Sequence, residues 1–168
     1  MWKKLLVTLD GSKRSEAILP IVREAAAPGV EVILLTVAET PSAVLAEDVH
    51  PLVAVGAPAA GGVASIPAAR IAESRDQAIQ RIVAETKDYL EGHAKALRVG
   101  GLKVKTEVVF GDPVEEIVSA AKAQSADAIA MATHGRTGLA EVMLGSVSSK
   151  VIAKGRKPVL AVRPAGLK

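Results

Sequence analysis

The chain has 168 residues, 49% of them apolar, a formal net charge of +3 and no cysteine. That length and composition suit a single domain with a sizeable core of its own, and the lack of cysteine excludes disulfide frameworks, thiolate nucleophiles, zinc ribbons and iron–sulfur ligation. The charges are mild and interspersed, and the aromatic residues Trp2, Tyr89 and Phe110 are scattered, so neither a phosphate-backbone footprint nor a base-stacking platform is present and nucleic acid is not an expected partner.

The opening MWKKLLVTLDGS carries two lysines and an apolar pentad, but Thr8 and Asp10 interrupt it before a signal-peptide core or membrane span is reached. A cytoplasmic protein without a membrane partner is expected. Lys4 to Leu9 and Val30 to Val37 are short apolar runs that predict the first two strands of a parallel sheet. Between them Ala17, Ile18, Ile21, Val22 and Ala25 recur at helical spacing, with Pro20 inside the pattern removing one donor, which predicts a kinked or late-starting helix. The segment from Glu39 to Arg75 breaks the rhythm. Its centre, PLVAVGAPAAGGVASIPAAR, is a mixture of alanine, glycine and proline, and a long excursion of this length is either a disordered insertion or a lid over a ligand.

Residues 76 to 98 predict a long amphipathic helix, with Ile79, Ile82, Val83, Thr86, Leu90, His93 and Leu97 on one stripe and Gly100 and Gly101 ending it. Val104 to Phe110 is the third strand. In the following GDPVEE, Asp112 sits at an N-cap, Pro113 at the first helical position and Glu115 where it completes a capping box. Ala126 to Thr133 and Pro158 to Val162 are the fourth and fifth strands, with a helix from about Ser146 to Lys154 between them. The last strand starts at a proline, a mark of a sheet edge that a second copy of the chain can cover. The fold class is α/β: an open, mainly parallel five-stranded sheet with helices on both faces and a long insertion at about 39–75, after the second strand.

In such a sheet ligands bind beyond the carboxyl ends of the strands, where strand order reverses. Asp10-Gly11-Ser12, Thr36-Val37 and Ala132-Thr133-His134-Gly135 all lie at such ends. Gly135 and Gly138 allow backbone amides to approach a ligand, and Gly145-Ser146 opens the next helix, whose unpaired amides and dipole favour an anion. The hydroxyls of Ser146 and Ser148 would add donors, and Arg136 a positive charge. Equally, the glycines can serve tight turns, Ser146 can be a plain helix cap, Asp10 can close an Asx turn before Gly11, and Met131 can be core. The sequence contains neither the P-loop pattern GxxxxGK[ST] nor the GxGxxG fingerprint. His134 flanks the loop, but no carboxylate or second histidine stands near it at triad or metal spacing, and His50 and His93 read as incidental.

KKLLVTLDGS, Ala-Ile-Leu-Pro in the first helix, GDPVEEIV, the 131–148 stretch MATHGRTGLAEVMLGSVS and the ending KPVLAVRP together resemble the universal stress protein family, over the whole chain apart from the central excursion. In its nucleotide-binding members the phosphate loop reads Gly, two residues, Gly, nine residues, Gly, then Ser or Thr. Gly135 and Gly145-Ser146 match the second and third elements at that spacing, and the first glycine is Ala132 here. The resemblance implies a Rossmann-like fold of the adenine nucleotide alpha hydrolase type and a regulatory homodimer in stress response that binds ATP, ADP or AMP, with Mg²⁺ carried on the phosphates. It further implies Asp10 at the ribose or base edge, Val37 at the base through its backbone, Met131 and Ala132 along the base and ribose, and Gly135, Gly145, Ser146, Val147 and Ser148 on the phosphates. Because no base, nucleophile or P-loop lysine stands near the loop, the expected role is binding rather than catalysis. A slow ATP hydrolase or nucleotidyl-transferring enzyme, and a family member that works through protein contacts alone, are the alternatives.

Overall fold

A computed structural model of the chain describes residues 2–38, 68–133 and 145–164, with residues 68–75 traced by backbone alone. Five strands, β1 (Lys4–Thr8), β2 (Glu31–Ala38), β3 (Lys103–Phe110), β4 (Ala128–Ala132) and β5 (Val159–Val162), form one sheet in the order β3-β2-β1-β4-β5. Each neighbouring pair is parallel, with Leu6 opposite Ile33 and Ile129, and Ala130 opposite Leu160. A 3₁₀ turn (Ser15–Ala17) runs into α1 (Ile18–Ala25). The longer helices are α2 (Ala68–Val99), α3 (Pro113–Ala123) and α4 (Ser146–Lys154).

The central strands β1, β2 and β4 are buried on both faces, which explains why they read as continuous apolar runs rather than alternating ones. Leu5, Val7, Val32, Leu34, Ala128 and Ala130 pack on one face with Ile18 and Val22 of α1 and Leu90, Ala94 and Leu97 of α2. Leu6, Ile33, Leu35, Ile129 and Met131 pack on the other with Val114, Ile117, Ala120 and Ala121 of α3 and Val151 of α4. The chain winds outward from β1 through β2 to β3, then returns to place β4 on the far side of β1. The connections after β1 and β4 therefore diverge, opening a crevice between their carboxyl ends.

Pro20 falls in the first turn of α1, where its missing N–H has no intrahelical partner to lose, so the helix starts late, as a 3₁₀ turn, instead of kinking. α2 is longer than the sequence pattern predicts. It starts at Ala68, and its 32 residues span about 48 Å at 1.5 Å per residue. Its end is a Schellman motif: Leu102 N–H donates to the Leu97 carbonyl at 3.4 Å and Gly101 N–H to that of Arg98 at 2.9 Å, with Gly101 at φ +86°. The remainder of the expected excursion, 39–67, lies outside the described residues. Among the described residues no helix is long and apolar enough to cross a membrane.

Candidate functional site

The crevice forms a cleft of about 360 Å³, within the size range of small-ligand sites. One wall comes from the end of β1. Leu9 N–H still bonds the Leu35 carbonyl at 2.9 Å, after which the chain turns sharply. Asp10 Oδ1 accepts from Ser12 N–H at 2.9 Å, forming the Asx turn, and Gly11 takes φ +80°, a conformation that disfavours any side chain. The Asp10 amide donates to Ser15 Oγ at 3.2 Å, and that hydroxyl donates onward to the Ser12 carbonyl at 2.8 Å. Asp10 is exposed at the mouth while Ser15 is buried beneath it.

The floor is apolar. Leu35 and Met131 are buried in the α3 and α4 side of the core, and Val37, Pro113 and Ile117 continue that surface upward. Ala132 closes β4, half-buried, and Thr133 follows, its N–H bonded to the Val162 carbonyl at 2.8 Å.

The far wall is the start of α4. Gly145 is its N-cap, at φ −57° and ψ 159°, and, being glycine, brings no side chain to cap the helix. The amides of Ser146, Val147 and Ser148 belong to the first turn, where the helix itself supplies no acceptor. The first turn of α4 also carries no acidic residue. The Gly145 carbonyl accepts from Ser149 N–H at 2.9 Å, Ser148 Oγ at 2.9 Å and Ser149 Oγ at 3.0 Å. The expectation that the Ser148 hydroxyl donates to a ligand is thus not met in this arrangement. That side chain is 2% exposed and its proton is spent on the carbonyl one turn back, so Ser148 meets the cleft with its amide and with the acceptor side of its oxygen.

α3, which contributes Pro113 and Ile117, is capped differently. Asp112 Oδ1 accepts from Val114 N–H at 2.9 Å and Glu115 N–H at 3.0 Å, as its N-cap position predicts. Glu115 Oε1 is turned to Lys154 Nζ at 2.5 Å, so it joins α3 to α4 in place of the reciprocal half of a capping box. That contact raises the Lys154 ammonium above its ordinary pKa.

Eight residues singled out from the sequence, Asp10, Val37, Met131, Ala132, Gly145, Ser146, Val147 and Ser148, line this one cleft. Gly135, together with His134, Arg136 and Gly138, lies outside the described residues. Thr8, Leu9, Ser15, Leu35, Pro113 and Ile117 also line it and were not foreseen. Most of these look like ordinary strand core or helix start in sequence. Ser15 alone carried a signal, as a hydroxyl five residues beyond Asp10 in a loop already suspected. Asp10 is the single charged residue among the described lining residues, and among the described residues no group of three or more His, Asp or Glu side chains is placed to hold a metal ion. Chemically, the arrangement suits a ligand with a flat apolar portion, a hydroxyl-bearing middle and an anionic end.

The family model described as "Universal stress protein family" matches residues 1–163. The chain is 35% identical over 164 residues to the universal stress protein MJ0577 of Methanocaldococcus jannaschii, covering 97% of this chain and 96% of that protein. The solved structure of MJ0577 aligns with a TM-score of 0.72 at 32% identity, over 99% of both chains. Two further solved structures share the fold at lower identity. One is a universal stress protein in complex with cAMP, at TM-score 0.56 and 23% identity over 96% of this chain and 97% of that one. The other is the universal stress protein from Archaeoglobus fulgidus in complex with dAMP, at 0.57 and 21% over 95% and 97%.

Proposed function

The chain belongs to the universal stress protein family, and on that premise we propose that it binds an adenine nucleotide, ATP, ADP or AMP, in the cleft above β1 and β4 and acts as a regulatory homodimer. The observation that carries the reading is the pairing, within one cleft, of an apolar slot and an uncapped helix start. Leu35, Val37 and Met131 offer the base a desolvated surface, with the Val37 backbone available to its edge. Asp10 faces the ribose hydroxyls as an acceptor. The amides of Ser146, Val147 and Ser148 take the phosphates, helped by the α4 dipole. Mg²⁺, where it enters, rides on the phosphates. The cAMP and dAMP complexes of two proteins with the same fold add support for an adenine ligand.

Ala132, where the family motif has glycine, is compatible with this role. It ends β4 in strand conformation and has no positive φ, so it carries no backbone strain. Strand alternation places its methyl on the face that carries Ala128, Ala130 and Leu9, opposite Met131 and α4 and so away from the phosphate end of the cleft. Binding rather than turnover is the role proposed: among the described lining residues Asp10 is the one charged side chain, and its Oδ1 is held in the Asx turn. Dimerisation is assigned to the outer edge of β5, which is apolar and pairs on one side with β4.

Mass spectrometry of small molecules released from freshly purified protein tests the ligand, followed by calorimetric titration with ATP, ADP and AMP in the presence of Mg²⁺. An adenine nucleotide in the extract, or saturable heat near one ligand per chain, is the expected result. No nucleotide and no heat at millimolar ligand would leave the protein-interaction reading in its place.

A further inference from the structure

The loop that bears Asp10 is held from a helix far away in sequence. Glu16, in the 3₁₀ turn, has a side chain only 17% exposed, and both its carboxylate oxygens are engaged. Lys13 Nζ stands 2.9 Å from Oε2. From α2, the Tyr89 hydroxyl donates to Oε1 at 3.5 Å, and His93 Nε2 lies 3.6 Å from the same oxygen. Tyr89 and His93 are one helical turn apart and meet edge to face, with ring centroids 4.8 Å apart at 82°. Ser15, which receives the Asp10 amide, directly precedes Glu16 in the chain. Burial first, then the Glu16 and Asp10 carboxylates, push the phenol up to about 12, so it remains a neutral donor at every physiological pH.

We infer that Tyr89 and Glu16 are positioning residues for the nucleoside end of the cleft: they brace the Asp10–Ser15 loop against α2 and so fix the direction in which Asp10 and Ser15 face the ligand. The inference rests on the nucleotide-binding reading above. A loop that turns through a left-handed glycine and a 3₁₀ segment has alternative conformations to lose on binding. Ordering it in advance, from a rigid helix, removes that cost from the binding step. The phosphate end is built from a different element, α4, and does not depend on the brace. The two ends of the ligand therefore report separately.

The test uses the full chain and three variants, Glu16→Ala, Tyr89→Phe and Glu16→Gln. Amide hydrogen exchange is followed in the ligand-free protein, and calorimetry is run with adenosine, ATP and inorganic tripolyphosphate. Glu16→Ala and Tyr89→Phe should speed exchange at residues 11–17 and leave the strands unchanged. They should weaken adenosine and ATP by a common factor of about three to ten, the scale of one hydrogen bond, while tripolyphosphate is unaffected. Glu16→Gln, whose amide oxygen still accepts from Tyr89, should recover most of the loss. Unchanged exchange at 11–17 overturns the brace whatever the ligands do. Equal weakening of adenosine and tripolyphosphate overturns it in favour of general destabilisation. A wild-type chain that binds none of the ligands overturns the nucleotide reading and the ligand half of this inference together, while exchange still decides the brace.

Discussion

Asp112 and Gly145 occupy the same N-cap position on two adjacent helices and leave those helices in opposite states. Asp112 spends one carboxylate oxygen on two first-turn amides of α3, and Glu115 and Glu116 add negative charge there. Gly145 has no side chain to spend on the equivalent amides of α4, whose residues Ser146, Val147 and Ser148 line the cleft. One helix end is completed by the protein. The other is completed, on the present reading, by a phosphate.

Replacing the first of these caps separates stability from binding. Asp112→Ala should cost about 1 kcal/mol of unfolding free energy, the usual worth of an aspartate N-cap, read from urea denaturation. ATP affinity should stay within about twofold, because Pro113 and Ile117 shape the cleft wall without taking part in that cap.

Restoring the family glycine should change little. Because Ala132 ends β4 without a positive φ and strand alternation sets its methyl opposite α4, Ala132→Gly is expected to alter ATP affinity by less than about threefold and to lower the melting temperature slightly, since glycine weakens a strand. A gain above tenfold in titration calorimetry would show that the methyl obstructs the ligand.

How far the chain could be read in advance varied with the physics of each segment. All five strands were legible, the central β1, β2 and β4 because burial on both faces makes them apolar runs, and α4 was found at Ser146–Lys154 from its glycine start. The first two turns of α2, AARIAESR, were assigned to the excursion. They follow an alanine- and glycine-rich stretch and carry too few large apolar residues to show a stripe, although Pro67 just before Ala68 was a start signal. The eight cleft residues came from the resemblance to the family, with the strand ends and the glycine before α4 pointing to the same place. Leu35 and Ile117 did not, because a residue that lines a cleft with one edge and fills the core with the other has the same sequence signature as plain core. His93 read as incidental, yet it reaches Glu16 across 77 positions of chain, a tertiary contact that no local pattern encodes.

At the opposite end of the sheet, pH is the probe. Glu31 lies between Lys105 at 2.7 Å and Lys4 at 3.4 Å, and Lys105 first, against the opposing effect of burial, holds its carboxyl below 4.5. A carboxyl lowered in the folded state stabilises the fold above its unfolded value, and that contribution fades as pH falls through the folded value. Glu31→Gln should therefore melt below wild type at pH 7, by a margin that is constant down to about pH 5 and closes below pH 4.5. Melting temperatures taken from pH 7 to 2 check this.

The dimer assignment is tested at Ala161. In β5 the carbonyls of Pro158 and Val162 face β4, accepting from Ile129 and Thr133, so parallel pairing turns the Ala161 N–H outward. Ala161→Pro removes that donor at an edge where proline is tolerated. Light scattering should report a dimer for wild type and a monomer for the variant. A wild-type monomer at micromolar concentration contradicts the assignment.

The central claim is that the uncapped start of α4 holds the phosphates of an adenine nucleotide, and ATP titration calorimetry on wild type beside Gly145→Asp tests it most directly. The backbone at Gly145, φ −57° and ψ 159°, accepts an aspartate, whose carboxylate would cap the helix as Asp112 caps α3 and repel a phosphate. The account predicts binding near one ATP per chain in wild type, a loss of at least about thirtyfold in the variant, consistent with charged hydrogen bonds forfeited together, and a melting temperature equal to or above wild type. Equal ATP affinity in the two proteins would contradict it.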